Sequence, residues 1–216
     1  MKQIYTKIWE LAKPYYKKGR PMDIDHIEWM MQDASLVCQE ENLDDSLLLP
    51  LVILHDVGYA EVPKDNPFKL NLRKVHMEAG ANISKRILEK LNYPIEKTQK
   101  IEYYVSVHDN WALGINDIYN EDKILGTFND LDYMWMATPK GFSALMKILE
   151  KNEQKMLEHL ETDEKPKLRP FSTNTTKNLY EKYMDDRRKD VQGVLNVRGL
   201  IESLKAIRMR AASLND

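Results

Sequence analysis

The sequence has little of what supports a disulfide scaffold or a membrane span. Its single cysteine, Cys38, cannot form an internal disulfide bond or a cysteine-based metal site, and its helical spacing from Ala34 predicts a small buried side chain. The longest apolar run, Leu47 to Leu54, is far shorter than the roughly 20 residues of a membrane helix. The first residues lack the apolar core of a signal peptide, so we expect a cytoplasmic protein with no membrane partner.

The chain also lacks charge of one dominant sign and several common enzyme motifs. Its formal net charge is only -2, with both signs interspersed, so nucleic acid is not an expected partner. A phosphate-binding Walker loop, a serine nucleophile elbow and a CxxC pair are all missing, which removes three common enzyme classes. A small molecule is the expected ligand. The amphipathic helices at both ends would suit a homodimer.

Hydrophobic residues recur with a period near 3.6, which predicts an all-α fold. We predict a first domain over residues 1–150 and a C-terminal helical extension packed on it over 151–216. The polar segment 162–176 is expected to be an exposed linker. The first expected helix covers residues 4–16, the second begins after Asp25 as its N-cap, and the third runs from 44–46 to about 58. The later ones are expected at 72–91, 94–108, 122–137, 142–160, 177–190 and 197–211.

A histidine and an aspartate, His55 and Asp56, end the most apolar of these helices. A lone carboxylate after an apolar run is costly to desolvate, and a bound cation would offset that cost. Adjacent helical residues point about 100° apart, close enough to hold the same ion. The pair therefore predicts a metal site.

Three more of the five histidines lie on stripes that should face the core. His76 is in register with Gly80 and Ile83, and the small residues beside it would let another helix approach closely. His108 is in register with Tyr104, and His26 lies in the first turn of its helix at the edge of the buried face. One such histidine is more often a hydrogen-bonded core residue than a ligand, but several around a buried His-Asp pair favour a cation.

Together these motifs resemble the HD superfamily of metal-dependent phosphohydrolases. The order His26, His55-Asp56 and a later helical aspartate is similar to that family, and so are the segments LLLPLVILHDVGYAEVP and HMEAGANISKRIL. The similarity covers about residues 20–150. It implies a helical HD-domain bundle and a hydrolase that uses one or two divalent metal ions.

Two aspartates compete for the role of last metal ligand in NDLDYMWMATPKGF. A rotation of about 100° per residue puts Asp132 at the edge of the apolar face and Asp130 well away from it. The context around Leu131-Asp132 also resembles the family's motif more closely. Asp132 is therefore the predicted ligand, with Asp130 in a supporting or surface position.

The resemblance leaves the number of metals and the exact activity open. In two-metal members Asp56 would bridge, with His26, His55 and Asp132 on one ion and His76 and His108 on the other. In one-metal members His76 and His108 would contact phosphate. A His and carboxylate site accepts Mn, Fe, Co, Ni, Zn or Mg without strong preference. The alternatives are a di-iron oxygenase and a non-catalytic nucleotide-binding HD signalling module.

The expected reaction is hydrolysis of a small phosphate ester, such as a nucleotide or cyclic nucleotide, by metal-activated water. The enzyme would be a phosphomonoesterase or a phosphodiesterase. Asp56 would act in catalysis with the metal, and Asp109, Glu61 or a protonated histidine would give the leaving oxygen its proton. The basic residues expected to hold phosphate are Lys64, Arg73 and Lys74, although each also suits an ordinary solvated surface.

Overall fold

A computed structural model describes residues 2–63 and 69–212, and within these the side chains of residues 2–63, 69–197 and 201. The chain divides into two compact units. The first comprises Met1–Trp135 and Glu164–Asn178, and the second comprises Met136–Asp163 and Leu179–Asp216. The predicted boundary near residue 150 stays a prediction.

Every regular element in the described part of the chain is helical, which confirms the all-α class. Short 3-10 turns at Val57–Glu61 and Asn110–Leu113 follow α3 and α5, and Trp135–Ala137 follows α7. The α-helices are α1 Gln3–Lys18, α2 Asp23–Glu41, α3 Asp45–Leu54, α4 Leu70–Lys90, α5 Ile95–Val107, α6 Asp117–Glu121, α7 Lys123–Met134, α8 Pro139–Ile148, α9 Glu153–Glu161, α10 Lys165–Leu168 and α11 Asn174–Ala212.

Helix α3 is the central element of the first unit, as its apolar composition predicted. Every residue from Leu47 to Leu54 is buried, and the helix contacts α1, α2, α5 and α7. Pro50 lies inside it and cannot donate to the carbonyl of Ser46 one turn earlier. The hydroxyl of Tyr93 donates to that carbonyl instead, at 2.7 Å, an ordinary hydrogen-bond distance. The Ser46 carbonyl oxygen therefore has a hydrogen-bond partner despite the proline.

Helices α4 and α5 pack closely against each other and bring two of the histidines together. Gly80 permits this approach, because a methyl group there would lie 3.1 Å from Cγ1 of Val105 and 3.3 Å from the carbonyl oxygen of His55. The prediction that a small residue beside His76 allows a close helix contact is confirmed. Cys38 is buried on α2, as its spacing predicted.

Several helix bounds differ from those predicted. Helix α2 begins at Asp23 and its N-cap, Met22, makes no side-chain capping bond, so the prediction of Asp25 as the cap was wrong. The predicted helix 142–160 is broken into α8 and α9, where Asn152 caps α9 by accepting from the backbone N–H of Lys155. The two predicted C-terminal helices are one, α11, because no proline lies between them and Gly193 alone does not end the helix.

The segment 162–176 is not the exposed linker that its polar composition suggested. Lys165, Arg169 and Thr176 are buried within the first unit. Asp130 on α7 accepts hydrogen bonds from the backbone N–H of Ser172 at 2.6 Å and from the Thr176 hydroxyl at 2.9 Å. The ammonium of Lys165 lies 3.7 Å from the same carboxylate. Asp130 is thus a buried anchor for this segment.

Replacing this anchor should lower stability. We expect Asp130→Asn to reduce the free energy of unfolding by roughly 1.5–3 kcal/mol, because hydrogen bonds to a buried charged acceptor are lost. Thermal unfolding followed by circular dichroism measures the effect. Asp186→Asn is the control, since it removes only a surface ion pair of little energetic value. Equal unfolding temperatures for the two variants would contradict the anchoring role.

Within residues 2–63 and 69–212, none of the helices combines the length and apolar character that a bilayer crossing requires.

Candidate metal centre

Six side chains converge inside the first unit and form two groups of potential ligands. Each group has its ligand atoms within 4.8 Å of one another. Helices α2 and α7, the end of α3, α4 and the residue after α5 supply them. The first group is His26, His55 and Asp132, and the second is Asp56, His76 and His108.

The spacing of the ligand atoms suits an ion held between them. Two ligand atoms that are each about 2.1 Å from a shared ion, at a tetrahedral angle, lie about 3.4 Å apart. In the first group Nε2 of His26 lies 3.4 Å from Oδ1 of Asp132, and Nε2 of His55 lies 3.8 Å from the same oxygen. These separations are too long for good hydrogen bonds and fit a metal-sized gap.

In the second group, three hydrogen-bond acceptors face one another. Nδ1 of His76 and Nδ1 of His108 each point at a backbone carbonyl oxygen, at 3.3 Å and 2.8 Å, so these nitrogens carry the protons. Their Nε2 atoms are then bare lone pairs only 3.2 Å apart. Oδ1 of Asp56 lies 3.4 Å from each of them. Three such atoms repel one another unless a cation lies between them.

The first group shows the same need for a cation. Nε2 of His26 and Nε2 of His55 are buried and have no hydrogen-bond partner among the described residues. Nδ1 of His55 is turned to the carbonyl oxygen of Val52 at 3.0 Å, which aims Nε2 into the site. The His26 ring stacks on Trp135, with centroids 5.0 Å apart. Since buried polar atoms are rarely left unsatisfied, the donor set fits a metal ion.

The protonation states of the site follow from burial and nearby charge. Burial lowers the pKa of His26 to about 3 and also lowers the pKa of His76, so both are neutral, as ligation requires. Burial also opposes charge on His55, but the Asp56 and Asp132 carboxylates outweigh it and raise the pKa of His55 to about 9. Burial opposes charge on Asp56 too, but the positive charge of His55 outweighs it and holds the pKa of Asp56 well below its usual range. A metal ion that binds His55 would have to displace its proton.

The His-Asp turn occurs twice in this site. His55-Asp56 follows α3 and His108-Asp109 follows α5, and each pair leads into a 3-10 turn. The two aspartates share nearly the same backbone conformation, φ -102° and ψ 6° at Asp56 and φ -108° and ψ 13° at Asp109. Only the first pair was singled out from the sequence. The repeated letters HD at two helix ends were the signal for the second.

Sequence reasoning also missed two charged residues at the edge of the cluster. Asp23, His26 and Asp56 form a third group of possible ligands, and one carboxylate oxygen of Asp23 is buried without a hydrogen-bond partner in the described structure. Arg20 pairs with Asp23 at 2.9 Å and approaches Asp56 to 3.9 Å. Asp23 could have been found, because it lies three residues before His26 on the same helical face. Arg20, which precedes α2, carries no such periodic signal.

The remaining predicted residues lie in different places. Asp109 is buried and pairs with Arg73 beside the second group. Glu61 is exposed and pairs with Arg86 near the end of α4, at 3.4 Å, which points it away from the clustered imidazoles. Lys74 is exposed on α4, and Lys64 lies outside the described residues.

A protein-family model described as HD domain matches residues 23–134. The match starts at the first residue of α2 and ends at the last residue of α7, so it contains all six clustered side chains. No curated protein and no solved structure matches the chain. The resemblance drawn from the sequence motifs is confirmed: the chain belongs to the HD domain family, which lies within a superfamily of metal-dependent hydrolases.

Proposed function

We propose that this chain is a metal-dependent phosphohydrolase that acts on a small phosphate ester, such as a nucleotide or cyclic nucleotide. The observation that carries the proposal is the meeting of Asp56 Oδ1 with two bare imidazole nitrogens, at 3.4 Å from each, beside a second ligand group. Burying a carboxylate beside two unprotonated imidazole nitrogens is unfavourable unless a cation binds between them. Pure nucleotide binding does not require a metal.

The six clustered residues would hold two ions. His26, His55 and Asp132 would hold one, His76 and His108 would hold the other, and Asp56 would bridge, since its two oxygens face different imidazoles. When bound, a divalent metal lowers the pKa of water towards 7 and offsets negative charge on a phosphoryl oxygen. The backbone carbonyls that accept from Nδ1 of His55, His76 and His108 keep these rings oriented.

The carboxylic acid form of Asp109 or a protonated histidine would give the leaving oxygen its proton. Asp109 is buried, follows His108 directly and is oriented by Arg73. The exposed Glu61, paired with Arg86, has less support for this role. Arg73 remains a proposed phosphate contact because it pairs with Asp109, the residue that directly follows His108 of the second ligand group. Lys74 has only its exposed position on α4 in its favour.

The proposal is tested by assaying purified protein with Mn, Co, Ni, Fe, Zn and Mg against nucleoside monophosphates, cyclic nucleotides and a generic phosphodiester. We expect phosphate-ester hydrolysis with at least one transition metal and none after chelation. A metal that binds the folded state should also raise the unfolding temperature. At a metal concentration about one hundred times its Kd, the free energy of unfolding should increase by about 2.7 kcal/mol.

Two other results would replace the proposal. The pairing of two ligand groups also suits the di-iron oxygenase alternative, which predicts oxygen consumption with iron and no phosphate release. Saturable nucleotide binding without turnover under any metal would instead favour the signalling module. The cytoplasmic location and the homodimer also stay predictions. Size-exclusion chromatography with light scattering measures the oligomeric state.

A further inference from the structure

Arg20 lies at the solvent-facing edge of the metal centre. Its side chain is 29% exposed, whereas that of Asp23, its partner at 2.9 Å, is only 2% exposed. Its other terminal nitrogen lies 3.9 Å from Oδ2 of Asp56, a distance too long for a hydrogen bond. A guanidinium has five N–H donors in a planar fork. Arg20 therefore brings a fixed positive charge and donor capacity to the edge of the site, beside the carboxylates of Asp23 and Asp56.

Tyr59 holds Arg20 in place. The guanidinium carbon lies 4.3 Å from the centre of the Tyr59 ring, and the ring of His76 stacks on Tyr59 with centroids 4.1 Å apart and planes 10° from parallel. Two groups this close to one ring must lie on its opposite faces. The order Arg20, Tyr59, His76 is thus a column that links the arginine to the second ligand group.

Gly19 makes this arrangement sterically possible. A methyl group at residue 19 would lie 2.6 Å from the carbonyl carbon of Tyr59 and 2.7 Å from the backbone nitrogen of Ala60. The chain before α2 can therefore lie directly against the 3-10 turn that follows Asp56. The backbone, as well as the ring, positions Arg20 over the site.

An arginine also lies beside the second His-Asp turn, but it pairs directly with the aspartate of that turn. Arg73 lies over Trp111, 5.2 Å from the ring centre, and pairs directly with Asp109. Arg20 has no such direct bond to Asp56, the aspartate of the first turn. Of these two arginines, Arg20 is the one that can engage a ligand without first breaking its contact with the aspartate of its turn.

We propose that Arg20 binds the phosphoryl group of the substrate and positions it against the metal centre. The inference rests on the proposed function and deepens it, because it defines the ligand as an anionic phosphate that Arg20 contacts beside Asp56. A planar fork with fixed charge suits bidentate contact with phosphate oxygens. Arg20 is a binding and positioning residue in this scheme.

The test uses full-length protein loaded with manganese, and inorganic phosphate as the probe. Isothermal titration calorimetry should show phosphate binding to the parent protein. In Arg20→Ala we expect binding to weaken by about 10–100-fold, with unchanged manganese content, and Arg20→Lys should fall between, because it keeps the charge but not the fork. With a hydrolysed ester, KM should rise more than kcat falls. Arg188→Ala is the matched control, since Arg188 also pairs with two acidic residues but lies in the second unit.

Parent-like phosphate affinity in both Arg20 variants would overturn the inference. Manganese loss in Arg20→Lys would also overturn it, because the arginine would then only support the ligand carboxylates. Absence of phosphate binding in the manganese-loaded parent would do the same. If phosphate binds in an Arg20-dependent way but no phosphate ester is hydrolysed, the proposed function fails while this inference stands.

Discussion

Asp56→Asn and Asp56→Ala are expected to retain no manganese after gel filtration and to lose at least about 1,000-fold in kcat/KM. Asp56 is the residue that faces three imidazoles, those of His55, His76 and His108, each at 3.4 Å. Without its charge the second group loses one of its three ligands, and the first group loses the proposed bridge. Several kcal/mol of charge stabilisation by the metal then disappear, and each 1.4 kcal/mol is tenfold in rate.

The fold should survive these substitutions. Asp56 follows α3 rather than lying within it, and its backbone angles, φ -102° and ψ 6°, are accessible to asparagine. Helix content by circular dichroism should match the parent, as it should for His55→Ala, which we expect to lose the metal as well. Asp117→Asn, at an exposed aspartate, serves as the control. Turnover at the parent rate by any Asp56 or His55 variant would refute the catalytic assignment.

Gly58→Ala is expected to be the most destabilising single methyl addition among the described glycines. The new carbon would lie 1.9 Å from the carbonyl oxygen of His76 and 2.5 Å from the backbone nitrogen of Gly80. These are backbone atoms of α4, which cannot rotate away as a side chain can. Overpacking typically lowers the free energy of unfolding by about 1–3 kcal/mol, and we expect Gly58→Ala to cost about 3 kcal/mol or more. The unfolding temperature should fall by roughly 6–12 °C.

The same substitution should also reach the chemistry, since displacing α4 displaces His76 from Asp56. Two other glycines provide a graded comparison. Gly80→Ala meets Cγ1 of Val105 at 3.1 Å and the carbonyl oxygen of His55 at 3.3 Å, which are longer separations than those at Gly58, so a smaller loss is expected. Gly193→Ala meets nothing within 4 Å in α11 and should stabilise by up to about 1 kcal/mol through helix propensity. Equal unfolding temperatures across the series would show that the turn after Asp56 tolerates the added methyl group.

The sequence was most informative where a pattern is local. Helical periodicity predicted that His76 and His108 face the core, and both are buried. The choice between the two aspartates followed from rotation around α7, and the structure places Asp132 with His26 while Asp130 faces the segment 164–178. Helical periodicity predicts which way a side chain points around the axis of its own helix. The ligand roles of these residues stay predictions until metal binding is measured.

The features that were missed depend on partners far away in the chain. Polar residues such as Thr176 and Arg169 suggest an exposed linker until Asp130 and Asn129 are known to lie beside them. Arg20 lies before α2, where no period says which way a side chain points. The site itself draws on residues from 26 to 132, and their meeting depends on the packing of α2, α3, α4, α5 and α7 together.

Both His-Asp turns lie at the C-terminal ends of helices, where unpaired carbonyl groups give a partial negative charge. Helices α3 and α5 therefore direct the negative ends of their dipoles towards the same place. Each end favours a nearby cation by roughly 0.3–1 kcal/mol before any side chain binds it. Variants that lose a ligand should consequently keep a weak attraction for divalent ions, one that differs little between metals and fades as ionic strength rises.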